Sequence, residues 1–175
     1  TWRGFGFTTA RWKSSLRDAG AFVLVWAVIQ FGVGWFLVSR GAVADPGFEM
    51  TAANLVGVYL FQLFLSGVGE EPLYRGLVLV SLCIAGRRVM RRKRLRMTVA
   101  LLLSTAVFMF DHINFTIRPF SVTHFNVLQQ GTLLVFGVFY GLLFFRHRSL
   151  FGPIVAHGLL NVVIVSSGVL LSLAS

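Results

Sequence analysis

Two adjacent glutamates interrupt a long apolar stretch of the sequence, and an arginine follows within one helical turn. Glu70, Glu71 and Arg75 lie in the segment GVGEEPLYRG. Residues four apart share a helix face, so Glu71 and Arg75 are expected to form an ion pair that orients a site without reacting. Glu70 points about 100° away on such a helix and has no partner nearby in sequence. Because an unpaired carboxylate at membrane depth usually lines a pathway or a site, Glu70 is the candidate for chemistry.

Two histidines and an asparagine occur at helical spacing in two later apolar segments. His112 follows Phe108 by four residues, and Asn161 follows His157 by four residues. Residues at i and i+4 lie on one helix face, so His157 and Asn161 can both donate hydrogen bonds toward one point. We therefore predict that an aromatic ring lies one turn below His112, and that the other two residues form a donor pair.

Three further polar residues receive no catalytic role. Asp111, beside His112, could orient an imidazole or mark the end of a helix, and we favour the second interpretation. His124 and His147 are predicted to lie in loops without a specific function.

These residue types together suit the hydrolysis of a peptide bond. A carboxylate and an imidazole, here Glu70 and His112, can activate a water molecule. Peptide hydrolysis also needs hydrogen-bond donors at the developing oxyanion, and His157 with Asn161 can supply two. The sequence contains no H-E-x-x-H helix, no G-x-S-x-G elbow and no G-x-G-D motif. No cofactor is therefore predicted, although two histidines and a glutamate could also ligate catalytic zinc.

The composition places these polar residues in a membrane protein. The chain has 175 residues, of which 56% are hydrophobic and 13% are charged. Such a chain is too apolar for an ordinary soluble domain. The only cysteine, Cys83, cannot form an internal disulfide. The first residue is Thr, so residues 1–175 are expected to be one membrane domain that is either processed or part of a longer chain.

The apolar runs predict an all-α bundle of about five membrane crossings. They cover residues 19–38, 50–69 with 76–86, 97–110, 125–145 and 150–174. Residues 50–86 would measure about 55 Å as one helix, which exceeds the hydrocarbon core. We therefore predict that this motif helix is broken, with a new helix beginning near Glu71 and Pro72, because proline lacks an amide hydrogen.

The N-terminal segment combines aromatic and basic residues, which is typical of an amphipathic stretch lying in the membrane interface. Its apolar members are Trp2, Phe5, Phe7, Trp12 and Leu16, and they alternate with Arg3, Arg11, Lys13 and Arg17.

The positions of the basic residues predict which connections of the bundle face the cytoplasm. The 16 Lys and Arg residues outnumber the 6 Asp and Glu residues, giving a net charge of +10. Basic residues concentrate before the first span, in residues 87–96 and at Arg146 and Arg148, whereas the other connections hold Arg40, Asp45, Glu49 and Arg118. We expect a multi-pass protein of the cell membrane with its N-terminus and the 87–96 loop in the cytoplasm. The loop is predicted to contact anionic lipid, and no nucleic-acid partner is expected.

Three ordered motifs resemble those of the CPBP family, the CAAX protease and bacteriocin-processing or Abi family. They are Glu70-Glu71-x-x-x-Arg75, Phe108-x-x-x-His112 and His157-x-x-x-Asn161, and they cover about residues 67–165. The resemblance implies an intramembrane glutamic endopeptidase, in a family that includes the eukaryotic enzyme removing the last three residues of prenylated CAAX proteins. It implies that Glu70 and His112 activate water, that His157 and Asn161 stabilise the oxyanion, and that Glu71 and Arg75 support the site.

The leading hypothesis is therefore a protease that cleaves a membrane-associated protein or peptide, prenylated or not, without a metal. Two other classes stay open at this point. One is a non-catalytic membrane protein that gives self-immunity to a bacteriocin by binding it. The other is a small proton-linked transporter, in which Glu70 and the histidines would relay protons.

Overall fold

The computed structural model describes residues 2–43 and 46–175 of the chain. The loop residue Asp45 and the side chains of Trp2 and Arg3, which the sequence places in the amphipathic segment, lie outside the described residues. The described chain forms a helical bundle, which confirms the predicted all-α class. Its long helices are α1 (Trp12–Ser39), α2 (Ala52–Ala85), α3 (Lys93–Asp111), α4 (Val127–His147) and α5 (Phe151–Ser172).

Four of these helices, α1, α2, α4 and α5, are long and apolar enough to cross a membrane. Large hydrophobic side chains lie exposed along them, as expected of a surface that faces lipid. The remaining predicted span corresponds to α3. This helix carries Lys93, Arg94 and Arg96 in its first turn and ends at Asp111, which shortens its apolar part. A crossing by α3 stays a prediction.

The motif helix α2 is continuous, so the break predicted at Glu71 and Pro72 is wrong. Backbone dihedrals stay helical through Leu60, Ser66 and Glu71, and Pro72 itself has φ −59° and ψ −37°. The helix changes its hydrogen-bond pattern instead, with π-helical turns over Phe61–Ser66 and Pro72–Leu79. A π-helical turn can accommodate proline without interrupting the helix. The N–H that proline lacks is not needed there as the donor of an α-helical hydrogen bond.

The N-terminal segment divides into two parts. A short 3₁₀ helix covers Trp2–Phe5, whereas Trp12 to Arg17 already belong to α1. Between them, Gly6 is buried with φ +91°, and its carbonyl accepts a hydrogen bond of 2.9 Å from the amide of Leu150. A Cβ at Gly6 would collide with Phe144. Residues near Gly6 therefore dock on the bundle, and the interfacial position of the N-terminal segment stays a prediction.

Glycines let the helices that carry the motifs approach one another at backbone distance. A Cβ on Gly67 of α2 would lie 2.5 Å from the Ile154 carbonyl oxygen, and one on Gly158 of α5 would lie 2.5 Å from the Leu63 carbonyl oxygen. These reciprocal contacts hold α2 against α5. On the other side of the bundle, α3 packs against Gly137 and Gly141 of α4.

A β-hairpin connects α3 to α4, a feature that the sequence analysis does not predict. Strand β1 (Asn114–Ile117) pairs antiparallel with β2 (Phe120–His124). The hairpin begins two residues after His112 and ends two residues before Asn126, the N-cap of α4. It therefore lies at the end of the bundle away from the basic 87–96 loop.

The two remaining histidines do not lie in loops, so that prediction is wrong. His147 is the last residue of α4 and is buried, and its Nε2 lies 2.9 Å from Asp18 Oδ2 of α1. His124 ends strand β2, with its Nε2 3.2 Å from Gln129 Oε1. Both pairings are tertiary or cross a turn, so helical spacing along the sequence could not reveal them.

Candidate active site

The motif residues of three helices line one cavity. The cavity measures about 630 Å³ and lies between α1, α2, α4 and α5, with the end of α3 closing one side. The residues on its wall that the sequence selected are Glu70, Phe108, His112, His157 and Asn161. The other two selected residues, Glu71 and Arg75, are buried behind this wall. The arrangement thus separates a layer that can touch a ligand from a layer that supports it.

Glu71 connects the buried layer to His157. One of its carboxylate oxygens, Oε2, lies 3.3 Å from Arg75 Nε, which is the i, i+4 pairing expected from the sequence. The other, Oε1, lies 2.8 Å from His157 Nδ1. Both Glu71 and Arg75 are almost fully buried, at 0% and 1% side-chain exposure. The carboxylate accepts a hydrogen bond from Nδ1, which fixes the ring and leaves Nε2 as the nitrogen on the cavity side.

Aromatic rings enclose the Arg75 guanidinium. Its Cζ lies 4.6 Å from the ring centre of Phe108, 5.1 Å from that of Tyr140 and 5.7 Å from that of Tyr74. Its Nη2 donates to the Gly137 carbonyl at 3.3 Å. Ring faces attract a cation, and this attraction strengthens where water is absent. Phe108 therefore helps to hold the arginine that holds Glu71.

Phe108 and Tyr140 also position the histidine rings. Phe108 makes edge contacts with His112, at 4.8 Å between ring centres, and with His157, at 6.2 Å. Tyr140 stacks on His157 at 5.2 Å with an angle of 11° between planes. The two imidazoles thus flank one buried phenyl ring, although they come from helices α3 and α5.

Glu70 stands at the boundary between the buried layer and the cavity. Its side chain is 32% exposed, whereas that of the adjacent Glu71 is fully buried. Glu70 Oε2 lies 3.9 Å from His157 Nε2 and has no hydrogen-bond partner among the described residues. The described contacts do not join Glu70 directly to His112; the two share the cavity wall.

His112 is held by its own helix. It follows the last residue of α3, and its Nδ1 lies 2.8 Å from the Phe108 carbonyl oxygen. A carbonyl oxygen can only accept, so Nδ1 carries the hydrogen. In the neutral ring, Nε2 is then the unprotonated nitrogen and can accept a proton or a hydrogen bond. In His112 and His157 alike, Nδ1 donates to a fixed acceptor and Nε2 is the remaining ring nitrogen.

Asn161 forms hydrogen bonds with two polar side chains of α2. Its Nδ2 donates to Gln62 Oε1 at 2.7 Å and to Ser66 Oγ at 3.2 Å. Gln62, Ser66 and Glu70 follow one another at spacings of four on α2, and all three line the cavity. Since both amide hydrogens of Asn161 already have acceptors, this side chain must release one of them before it can donate to a ligand.

The structure gives Asp111 a partner that sequence spacing did not reveal. Tyr74 Oη donates to Asp111 Oδ2 at 2.7 Å and joins α2 to the end of α3, next to His112. Ser104 Oγ makes a second link between these helices by donating to the Tyr74 carbonyl at 2.8 Å. Asp111 ends α3, as favoured from the sequence, and it also fixes that end to the motif helix.

Metal ligation was left open by the sequence. Within residues 2–43 and 46–175, no three His, Cys, Asp or Glu side chains converge closely enough to hold a metal ion. On the cavity wall, the Glu70 carboxylate lies 3.9 Å from His157 Nε2.

Comparisons with known proteins identify the family. No curated protein and no solved structure matches the chain. A family model described as type II CAAX prenyl endopeptidase Rce1-like matches residues 52–163, which is more than half of the 175 residues. The match begins at the first residue of α2 and includes every residue of the three motifs. The chain therefore belongs to the type II CAAX prenyl endopeptidase Rce1-like family.

Proposed function

We propose that this protein is an intramembrane endopeptidase that hydrolyses a peptide bond of a membrane-associated protein or peptide. The observation that carries the proposal is one cavity lined by Glu70 of α2, His112 at the end of α3 and the His157–Asn161 pair of α5. Membership in a CAAX protease family supports peptide-bond hydrolysis as the reaction. Hydrolysis needs a group that activates water and donors that stabilise the oxyanion, and candidate residues for both roles lie on the cavity wall.

Water activation is assigned to Glu70 and His112. The Glu70 side chain reaches the cavity and its Oε2 is buried without a hydrogen-bond partner, and the His112 Nε2 is an acceptor in the neutral ring. Together they can orient a water molecule and take its proton as it attacks the scissile carbonyl. Removing a general base of this kind typically costs about 10²–10⁴ in rate.

Oxyanion stabilisation is assigned to His157 and Asn161. His157 faces Glu71 with Nδ1 and Glu70 with Nε2, so the imidazolium is the form that can donate from both nitrogens. When the substrate carbonyl enters, Asn161 exchanges one of its bonds to Gln62 or Ser66 for the developing oxyanion. Loss of one such donor costs about 10²–10³ in kcat.

The proposed setting is the cell membrane, with the N-terminus and the 87–96 loop on the cytoplasmic side, where the loop contacts anionic lipid headgroups. Residues 87–96 carry seven of the 16 Lys and Arg residues, four in the connection between α2 and α3 and three in the first turn of α3, and such basic segments stay cytoplasmic. Each Lys or Arg near an anionic surface contributes about 1 kcal/mol to binding. The substrate is proposed to be membrane-associated because the cavity lies between apolar helices.

The test is cleavage of peptides by the purified protein in lipid vesicles. Glu70→Gln and His112→Ala should each abolish measurable turnover, and Asn161→Ala should lower kcat with little change in KM. Glu49→Gln is the matched control, because this exposed glutamate lies outside the cavity. Undiminished cleavage by Glu70→Gln would remove the mechanism.

A chelator arm tests the catalytic type. Cleavage should survive treatment with a zinc chelator in the unmodified protein. If a chelator stops cleavage and added zinc restores it, water activation belongs to a metal ion bound by some of the same side chains, and the proposed role of Glu70 as base is wrong.

A further inference from the structure

The β-hairpin between α3 and α4 has one apolar and one polar face. Phe115 pairs with Val122 and Ile117 pairs with Phe120, so these four side chains share a face. Thr116 and Ser121 pair on the opposite face, where their hydroxyls lie 3.0 Å apart. A two-stranded sheet of this kind is not stable in water by its own pairing alone, which makes a supporting surface necessary.

The apolar face is open in the described chain. Its members are 41% exposed at Phe115, 56% at Val122 and 76% at both Ile117 and Phe120. Four large apolar side chains on one small hairpin exceed what single exposed hydrophobic residues explain. The segment 113–126 contains no Asp or Glu, and Arg118 at its tip is the only Lys or Arg.

This face continues an exposed apolar surface of α3. Leu103, Val107 and Phe110 are exposed at helical spacing along that helix. The Phe110 ring lies 5.8 Å from that of Phe115, and the Phe115 ring lies 6.2 Å from that of Phe120. An aromatic ladder thus leads from the exposed side of the helix onto the hairpin, and the exposed Phe125, Val127 and Leu128 extend it to the start of α4.

We propose that the hairpin lies in the membrane interface, with its apolar face inserted at the border of the hydrocarbon and its polar face in water. Phenylalanine and aliphatic side chains on one face of an amphipathic segment bury at this depth, and Arg118 can reach the lipid phosphates from the tip. The hairpin connects two residues of the cavity wall, His112 and Asn126. Its insertion holds that side of the cavity at the lipid surface. The inference concerns membrane contact and does not depend on the proposed catalysis.

The test uses single cysteines labelled with a nitroxide in a Cys83→Ser background, which has no other cysteine. Phe120→Cys and Ile117→Cys report on the apolar face, whereas Thr116→Cys and Ser121→Cys are matched controls on the polar face of the same hairpin. Collision with oxygen, which concentrates in lipid, is compared with collision with a water-soluble nickel complex in vesicles of phosphatidylcholine.

The apolar-face labels should favour oxygen and the polar-face labels should favour nickel. Nickel accessibility that is equal and high on both faces would overturn the proposal. A different contradiction would be a Phe120 label that is water-exposed in empty vesicles and becomes shielded only when a peptide is added, because the face would then be a protein-docking surface. Repeating the measurement in detergent-free vesicles with the Glu70→Gln protein should leave the pattern unchanged, which separates this result from any failure of the proposed function.

Discussion

Glu70 and Glu71 are neighbours in sequence but stand in different environments. Glu71 is fully buried and contacts both Arg75 and His157, whereas Glu70 is 32% exposed and lines the cavity. About 100° around the helix axis separates the residue proposed to support the site from the one proposed to react. The pair therefore offers two substitutions of the same chemistry with different expected consequences.

Glu71→Gln should destabilise the protein, and Glu70→Gln should not. The first change leaves the buried Arg75 without its charge partner, a loss worth about 3–5 kcal/mol. The second alters a partly exposed group without a hydrogen-bond partner at Oε2, so the free energy of unfolding should change by less than about 1 kcal/mol. Thermal unfolding in detergent measures both. Equal shifts for the two variants would contradict the division of roles.

Tyr74→Phe should destabilise the protein more than Tyr59→Phe. Tyr74 Oη donates to the Asp111 carboxylate at 2.7 Å, and Tyr59 Oη pairs with the Ser166 hydroxyl at 2.9 Å. Hydrogen bonds to charged groups contribute about 1.5–3 kcal/mol, and neutral ones about 0.5–1.5 kcal/mol. Unfolding measurements compare Tyr74→Phe with Tyr59→Phe. Adding Asp111→Ala and the variant that carries both Tyr74→Phe and Asp111→Ala gives the coupling energy between Tyr74 and Asp111. A coupling near zero would show that the Tyr74–Asp111 contact does not stabilise the fold.

Residue spacing predicted the interactions that lie within one helix and missed those that join two. The Glu71–Arg75 pair follows from an i, i+4 rule, and so does the shared face of His157 and Asn161. The contact of His157 with Glu71 joins residues 86 positions apart, and no local rule selects it. Sequence reasoning therefore selected residues that line one cavity, but not which carboxylate meets which imidazole.

At the scale of elements, glycine contacts set the distance between the two helices that carry most of the site. Gly67 lies three residues before Glu70, and Gly158 follows His157 directly. Because each faces a backbone carbonyl of the other helix, a side chain at either position must push the helices apart. The separation of Glu71 from His157 depends on this packing.

Gly67→Ala and Gly158→Ala should each lower stability by about 1–3 kcal/mol, as overpacking does, and reduce activity. Gly57→Ala on the same motif helix is the control, since a Cβ there meets nothing within 4 Å. This control should be neutral or stabilising by up to about 1 kcal/mol because alanine favours helix. Unfolding and cleavage assays on the three variants test the idea, and loss of activity in Gly57→Ala as well would refute it.

The helix boundaries were easier to predict than the geometry within them. Charge-free runs located α1, α2, α4 and α5, because the hydrocarbon core demands such runs. The sequence predicts a break at Pro72 because proline usually interrupts an α-helix. The structure instead has a π-helical turn there, which sequence spacing does not reveal. The hairpin was missed because its strands are short and occur within a region of aromatic residues typical of membrane interfaces.

At the scale of the whole molecule, the direction of each helix in the membrane can be measured. In the Cys83→Ser background, Met90→Cys lies in the connection between α2 and α3, Val43→Cys lies between α1 and α2, and Thr116→Cys lies in the hairpin. If α3 crosses the membrane, Val43 and Thr116 share one side and Met90 lies on the other. A membrane-impermeant thiol reagent applied to intact cells should therefore label positions 43 and 116 and spare position 90. Labelling of all three, or of position 43 without 116, would contradict the five-crossing arrangement.

Helix α1 lines the cavity although it lies outside the residues that the family model matches. The match begins at residue 52, yet Trp26, Gln30 and Val33 of α1 form part of the cavity wall. A small molecule that fills the cavity against these side chains would meet a surface that the rest of the family need not share. Inhibitors built toward α1 should therefore discriminate between this protein and its relatives, while compounds directed only at Glu70 and the histidines should inhibit them alike.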